Sequence, residues 1–428
     1  MSEPTEPNET TEQQPDPWKI SAADSGILRR LAGKVAELAA RPIEAEKREL
    51  WYRHNALEPT RPPIFCSPEN AWYEILPPEK VVQCANGTAR DWEYRLRTEI
   101  FWGESMCDDR VIEPYFNVPH IMHESDWGVP FNVTRPSNPG GSFIWDAPVK
   151  DLNDLSQLHF PTFNVDYDGT ERRLELAQNT FGDLLQVRLK SLFFWGPPLS
   201  CLLAYMRGLE QFMIDMVDNP KGLHRLMAFL RDGMIDRLEF LERERLLFLN
   251  NEGDYIGSGG FGFTRELPQP DFAGVVRPCD MWVAGESQET SSVSPSMFEE
   301  FIFQYQLPIL SRFGLNHYGC CEPLDTRWHV VAKTPRLRRV SIPPWSDIAG
   351  MAEKLQDRYI YSWKPNPTIL AMESFDESLI RSYTRDALEK TRGCRLEIIM
   401  KDNHTIRNET RRVIRWVEIV REEEEKLA

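Results

Sequence analysis

The chain has 428 residues, 41% of them hydrophobic, which is material for one large domain or two ordinary ones. Its 50 Lys and Arg against 66 Asp and Glu give a net charge of −16, which argues against nucleic acid or an anionic membrane as partner. No apolar run approaches the ~18 residues of a membrane span, and the opening MSEPTEPNETTEQQPDPW has neither a basic nor an apolar leader region, so a cytoplasmic location is expected.

Residues 1–17, rich in Pro, Glu, Thr and Gln, read as a disordered tail that ends by residue 20. Residues 21–160 read as helices and loops packed on a larger unit: two helices from Ser21 punctuated by Pro42, a third over Arg90–Met106, then loops with short strands from Cys107 to Pro161. From residue 161 to 428 the pattern settles into alternation. A helix at 169–181 precedes a strand at 184–196, then helices at 200–217 and 219–243, and a strand at 246–254. A Gly-rich loop at 257–263 and a connection to about 293 lead to a helix at 294–313 and the strand 315–321. Helices at 324–333, 345–355, 375–390 and 405–425 then alternate with strands at 337–343, 359–365 and 394–400.

Strand followed by helix, repeated in this way, predicts a parallel sheet with crossover helices, and the number of units fits an α/β (β/α)8 barrel with extra N-terminal helices. Gly257, Gly259, Gly260 and Gly262 lie far from a helix start, which argues against a dinucleotide loop. In a barrel the carboxyl ends of the strands carry the chemistry. Those ends read Trp195-Gly196-Pro197, Asn250-Asn251-Glu252-Gly253-Asp254, Cys320-Cys321-Glu322, Pro344-Trp345-Ser346-Asp347, Trp363-Lys364-Pro365-Asn366 and Lys401-Asp402-Asn403-His404.

Cys320, Cys321, Glu322 and His404 offer soft and borderline donors suited to Zn²⁺ with one open position. Strand alternation puts Cys320 with Glu322 on one face and Cys321 with His317 on the other, so one pair faces inward, and the first is preferred. The competing reading makes the cysteines small buried hydrophobes and His404 a helix cap. Glu252 and Asp254 share a face and are acid–base candidates, or else acids binding backbone donors around the Gly-rich loop. The eight scattered cysteines read as free thiols, and Trp195, Trp345 and Trp363 as either core or the walls of a cavity for a flat substrate.

FFWGPPLSCLLAYMRGLEQFMIDMVDNPKGLHRLM (193–227), SPSMFEEFIFQYQLPIL (294–310) and LNHYGCCEPLD (315–325) follow one another as do the corresponding segments of the uroporphyrinogen decarboxylase superfamily, which the chain resembles over about residues 165–425. The resemblance implies a (β/α)8 barrel. The decarboxylases carry an Arg-Gln-Ala-Gly-Arg signature on an early strand, and RPPIFCSP (61–68) lacks it. The cobalamin-dependent zinc methyltransferases of the superfamily place His-x-Cys at the fifth strand and Cys at the eighth. Here those places hold Cys320-Cys321-Glu322 and Asp402-Asn403-His404, the ligand types kept in changed order. That branch implies methyl transfer from a small methylated substrate, an aryl methyl ether among the candidates, to a corrinoid on a partner protein, with zinc activating the leaving group, Asp254 or Asp402 handling a proton, and pairing into homodimers. A metal-free decarboxylase-like lyase and a non-catalytic binding barrel are the alternatives.

Overall fold

The computed structural model describes residues 18–135 and 143–427, so the tail expected over residues 1–17 lies outside them. Its strands are β1 (Ile64–Cys66), β2 (Tyr115–Val118), β3 (Ile121–Glu124), β4 (Asn132–Thr134), β5 (Ile144–Asp146), β6 (Phe163–Asp166), β7 (Gln186–Leu189), β8 (Trp282–Gly285), β9 (Leu315–Tyr318), β10 (Leu337–Ile342), β11 (Ile360–Trp363) and β12 (Arg395–Met400). Six of them form an all-parallel sheet in the order β1-β12-β11-β10-β9-β8. β2 pairs in parallel with β7, and β3–β6 and β4–β5 are antiparallel ribbons. Helices cover the sheet, so the fold is α/β.

The strand expected at 246–254 is absent, and the physical reason lies at Asn250. Its side-chain amide donates to the Trp282 carbonyl at 3.0 Å while its carbonyl accepts from Trp282 N–H at 2.8 Å, so a side chain takes the place of a neighbouring strand's backbone. The strand beside it is β8, which the sequence reading left inside a connection. All four of its residues, Trp-Val-Ala-Gly, are buried, and a run buried on both faces has no alternation to reveal it. The helix expected at 200–217 breaks at Gly208, whose φ of 89° ends Leu199–Arg207 and starts Leu209–Asp218.

Alternation along the central strands sorts their residues cleanly. Val340, Ile342, Tyr361, Trp363, Ile398 and Met400 join the apolar core under the helices. The other face carries His317, Arg339, Ser341, Ser362, Lys364, Glu397 and Lys401, all buried. Against that polar face lies the Gly-rich segment. Gly260 N–H donates to Glu397 Oε1 at 3.0 Å, and Ser258 Oγ donates to the Gly319 carbonyl at 3.1 Å. The end of the helix Pro42–Asn55 reaches the same interior: Asn55 Nδ2 donates to the Phe261 and Phe263 carbonyls at 2.8 Å, and His54 Nε2 sits 3.3 Å from Glu397 Oε2. The helix Ala22–Ala39 instead packs into a separate apolar cluster with Trp92, Phe116 and Phe181.

This interior has no room for a methyl group at Gly260, where a Cβ would lie 2.4 Å from the fully buried Trp51 ring. Gly260→Ala is expected to lower stability by ~1–3 kcal/mol through overpacking. A urea unfolding curve indistinguishable from the parent's would contradict that packing.

Candidate active site at the carboxyl ends of the sheet

β9 ends at Tyr318, and the next residue, Gly319, has φ of 99°, which turns the chain out of strand geometry. The alternation expected through residue 322 therefore stops short, and the two cysteines do not part company. Their sulfurs stand 3.6 Å apart, each 3.6 Å from Lys401 Nζ on the end of β12. Backbone clamps fix the pair: Ser341 Oγ donates to the Cys320 carbonyl at 3.0 Å, and Trp345 Nε1–H to the Cys321 carbonyl at 2.8 Å. Lys401 also meets Asp402 Oδ2 at 2.9 Å, and Cys321 Sγ donates to that same oxygen at 3.6 Å.

The electrostatics of the pair divide it into two unlike sulfurs. Contact with the Cys321 sulfur brings the Cys320 thiol down to about 6, with the Lys401 ammonium assisting against burial, which favours the Cys320 thiolate at neutral pH. Cys321 is pushed up by the same contact and by burial. Burial opposes the charge on Lys401, but the two sulfurs and Asp402 outweigh it and hold the ammonium on. Lys364, at the end of β11, is buried and drawn down to about 7 by that burial, with Lys401 and Arg339 adding repulsion; its Nζ donates to the Ser362 carbonyl at 2.9 Å.

The residue after β8 completes the rim. Glu286 is pushed up to about 9, first by burial and then by the carboxylates of Glu289 and Glu322, so it keeps its proton at neutral pH. Glu289 is itself committed to Ser200 Oγ at 2.7 Å. One strand end thus supplies a neutral carboxyl and the adjacent one a thiolate.

Of the residues nominated from sequence, Cys320, Cys321 and Asp402 come together. Glu322 does not join them as a ligand: it is fully buried, with Oε1 accepting from Ser287 N–H at 2.8 Å and Oε2 from Cys320 N–H at 3.0 Å. His404 is exposed and pairs through Nδ1 with Asn70 Nδ2 at 2.9 Å. His317 is buried below the cysteines and bonds through Nε2 to the Gly319 carbonyl at 3.0 Å. Glu252 and Asp254 line a separate cavity of about 140 Å³, matched to Arg188 at 2.9 Å and Lys190 at 2.6 Å. Trp345 is exposed at the rim, Trp195 half-exposed, and Trp363 fully buried in the core.

Zinc does not fit this arrangement. The lysine ammonium stands against both thiols, the Glu322 oxygens are filled by backbone N–H groups, and among the described residues no three His, Cys, Asp or Glu side chains gather as metal ligands. Lys364 and Lys401 were visible at predicted strand ends without a role. Glu286 was missed because β8 was missed; recognising Trp282–Gly285 as a strand would have made it a terminal residue.

No helix among the described residues is long and apolar enough to cross a membrane. No family model matches the chain, and no curated protein matches it in sequence. A methyltransferase from Methanosarcina mazei is similar in structure, with a TM-score of 0.47 and 12% identity over 89% of this chain and 98% of that one. A likeness that slight bears on neither substrate nor mechanism.

Proposed function

We propose that the chain is a methyl-transfer enzyme for a small methylated substrate bound over the ends of β8–β12, built on an eight-stranded barrel. Barrel closure is supported by backbone bonds beyond both edges of the sheet. Asp109 N–H donates to the Ile64 carbonyl at 2.8 Å on the β1 side, and Ala284 N–H to the Trp195 carbonyl at 3.1 Å on the β8 side. The segments making those bonds lead into β2 and out of β7, which pair with each other. Counting β1, β2, β7 and β8 to β12 gives the eight strands.

The observation that carries the functional reading is a thiolate held against an ammonium, with a proton-bearing carboxyl at the adjacent strand end. Removing a methyl group from oxygen or nitrogen needs an electron-rich acceptor and a proton for the heteroatom that leaves. Cys320 Sγ forms the new bond to the methyl carbon as the bond from that carbon to the heteroatom breaks. The heteroatom keeps the electron pair and takes the Glu286 proton. Lys401 keeps Cys320 anionic beforehand, and the exposed Trp345 ring offers a flat wall to an aromatic substrate. A corrinoid on a partner protein, implied by the sequence resemblance, would supply a methyl acceptor beyond Cys320. A lyase or a binding barrel gives the Cys320–Lys401 pair no covalent work.

The test uses methyl para-nitrobenzenesulfonate on the reduced protein near pH 7, with methylation at each cysteine followed by peptide mass. Cys320 is expected to react about tenfold or more faster than the exposed Cys107, and Lys401→Met to slow it about tenfold. Equal rates at Cys320 and Cys107 would remove the nucleophile from the proposal.

A further inference from the structure

We propose that Cys320 and Cys321 form a peroxide-responsive dithiol, in which Cys320 is the oxidised sulfur and Cys321 the resolving one, closing reversibly into a disulfide between adjacent residues. The inference deepens the methyl-transfer reading, because the sulfur that closes is the nucleophile of that reading.

The geometry assigns each part. The sulfurs face each other at 3.6 Å with no side chain between them, and both are partly open to solvent. Lys401 Nζ, 3.6 Å from Cys320 Sγ, steadies the anion that attacks. Asp402 Oδ2 accepts from Cys321 Sγ at 3.6 Å, so a carboxylate stands at the proton that Cys321 must lose. Asp402 has φ of 59° and its N–H donates to Glu69 Oε2 at 3.0 Å, which anchors the carboxylate's backbone in that turn.

The oxidation balances with a hydroperoxide as the two-electron oxidant. The Cys320 thiolate attacks the peroxide, forming S–O as O–O breaks, and the departing oxygen takes a proton to leave as water or an alcohol. The Cys321 sulfur then attacks Cys320, with its proton passing to Asp402; S–S forms, S–O breaks, and the hydroxide leaves as water after protonation. A dithiol reductant reverses the change by exchange. Reversal is favoured because neighbouring Cα atoms lie only ~3.8 Å apart across a trans peptide, closer than disulfides ordinarily span, so the ring is strained and readily reduced. Oxidation protects Cys320 from the irreversible acids higher on the ladder and switches transfer off in the same step.

Hydrogen peroxide at a few equivalents on the reduced full-length protein provides the test, with peptide mass mapping and dimedone as the sulfenic-acid probe. The parent is expected to lose two free thiols, show a linked 320–321 peptide without dimedone adduct, and recover fully with dithiothreitol. Cys321→Ser should instead trap a dimedone adduct on Cys320, and Asp402→Asn should slow closure several-fold, each variant first checked by its melting curve. Dimedone adduct or sulfinic acid accumulating in the parent would overturn the proposal, as would unchanged oxidation in Cys320→Ser. Methyl-donor labelling of the reduced protein reads the other proposal separately: normal methylation without disulfide formation removes the switch alone, and disulfide formation without methylation removes the transfer reading alone.

Discussion

Replacing Arg339 with methionine is expected to lower the unfolding free energy by ~3–5 kcal/mol, the range for removing one partner of a buried ion pair. Both Arg339 and Glu397 are fully buried, with Nε 3.1 Å from Oε1, and Arg339 also donates through Nη2 to Asn55 Oδ1 at 2.7 Å and the Phe261 carbonyl at 3.2 Å. Without the guanidinium, Glu397 keeps the Gly260 N–H and Ser362 Oγ but loses its chief cation. In the parent, burial favours protonation of Glu397, yet Arg339 and the neighbouring His54 override it and hold the carboxyl well below its ordinary range. A depressed carboxyl contributes stability above its unfolded-state pKa and loses it as pH falls through the folded value. The parent is therefore expected to weaken as the medium is acidified below about pH 4.5, and Arg339→Met to show a shallower acid dependence. Urea unfolding of Arg339→Met, Glu397→Gln and the double variant measures the coupling, and strict additivity would mean that the two charges do not support each other.

Methyl transfer is expected to vanish in Cys320→Ala and to follow a bell in pH in the parent. The acid limb rises near pH 6 as the Cys320 thiolate forms, and the alkaline limb falls near pH 9 as Glu286 gives up its proton. Glu286→Gln should lower the rate ~10²-fold or more and abolish the alkaline limb while leaving the acid limb in place. An unchanged limb near pH 9 in that variant would assign the titration to another group and take the acid role from Glu286. The measurement is release of the demethylated product across pH 5–10 at saturating substrate.

How far the sequence carried depended on which signals were local. Strands with polar ends, such as β9 and β12, were legible, and Cys320, Cys321 and Asp402, which the structure brings together, were nominated from them. β8 is apolar on both faces, so its end and Glu286 passed unseen. The strand expected at 246–254 fell to a side-chain mimic, Asn250, that no hydrophobic pattern encodes. The ranking of Glu322 beside Cys320 rested on strand alternation, which the φ of 99° at Gly319 interrupts. Lys401 adjoins Asp402 in the sequence, but its meeting with both thiols joins residues 80 and 81 positions apart, and only the fold could reveal it.

The interior position of the Gly-rich segment also orders events during synthesis. β1 is made early and must wait for β12, more than three hundred residues later, since Ile64 finds its partner at Ile398. Gly259, which lies against His317 of β9 and Arg339 of β10, and Gly260, whose N–H needs Glu397 of β12, have both emerged long before that pairing. A nascent chain stalled ahead of β12 would expose Arg339 and the glycine loop without Glu397. Such non-local closure predicts slow maturation and a need for shielding while the final strand is awaited.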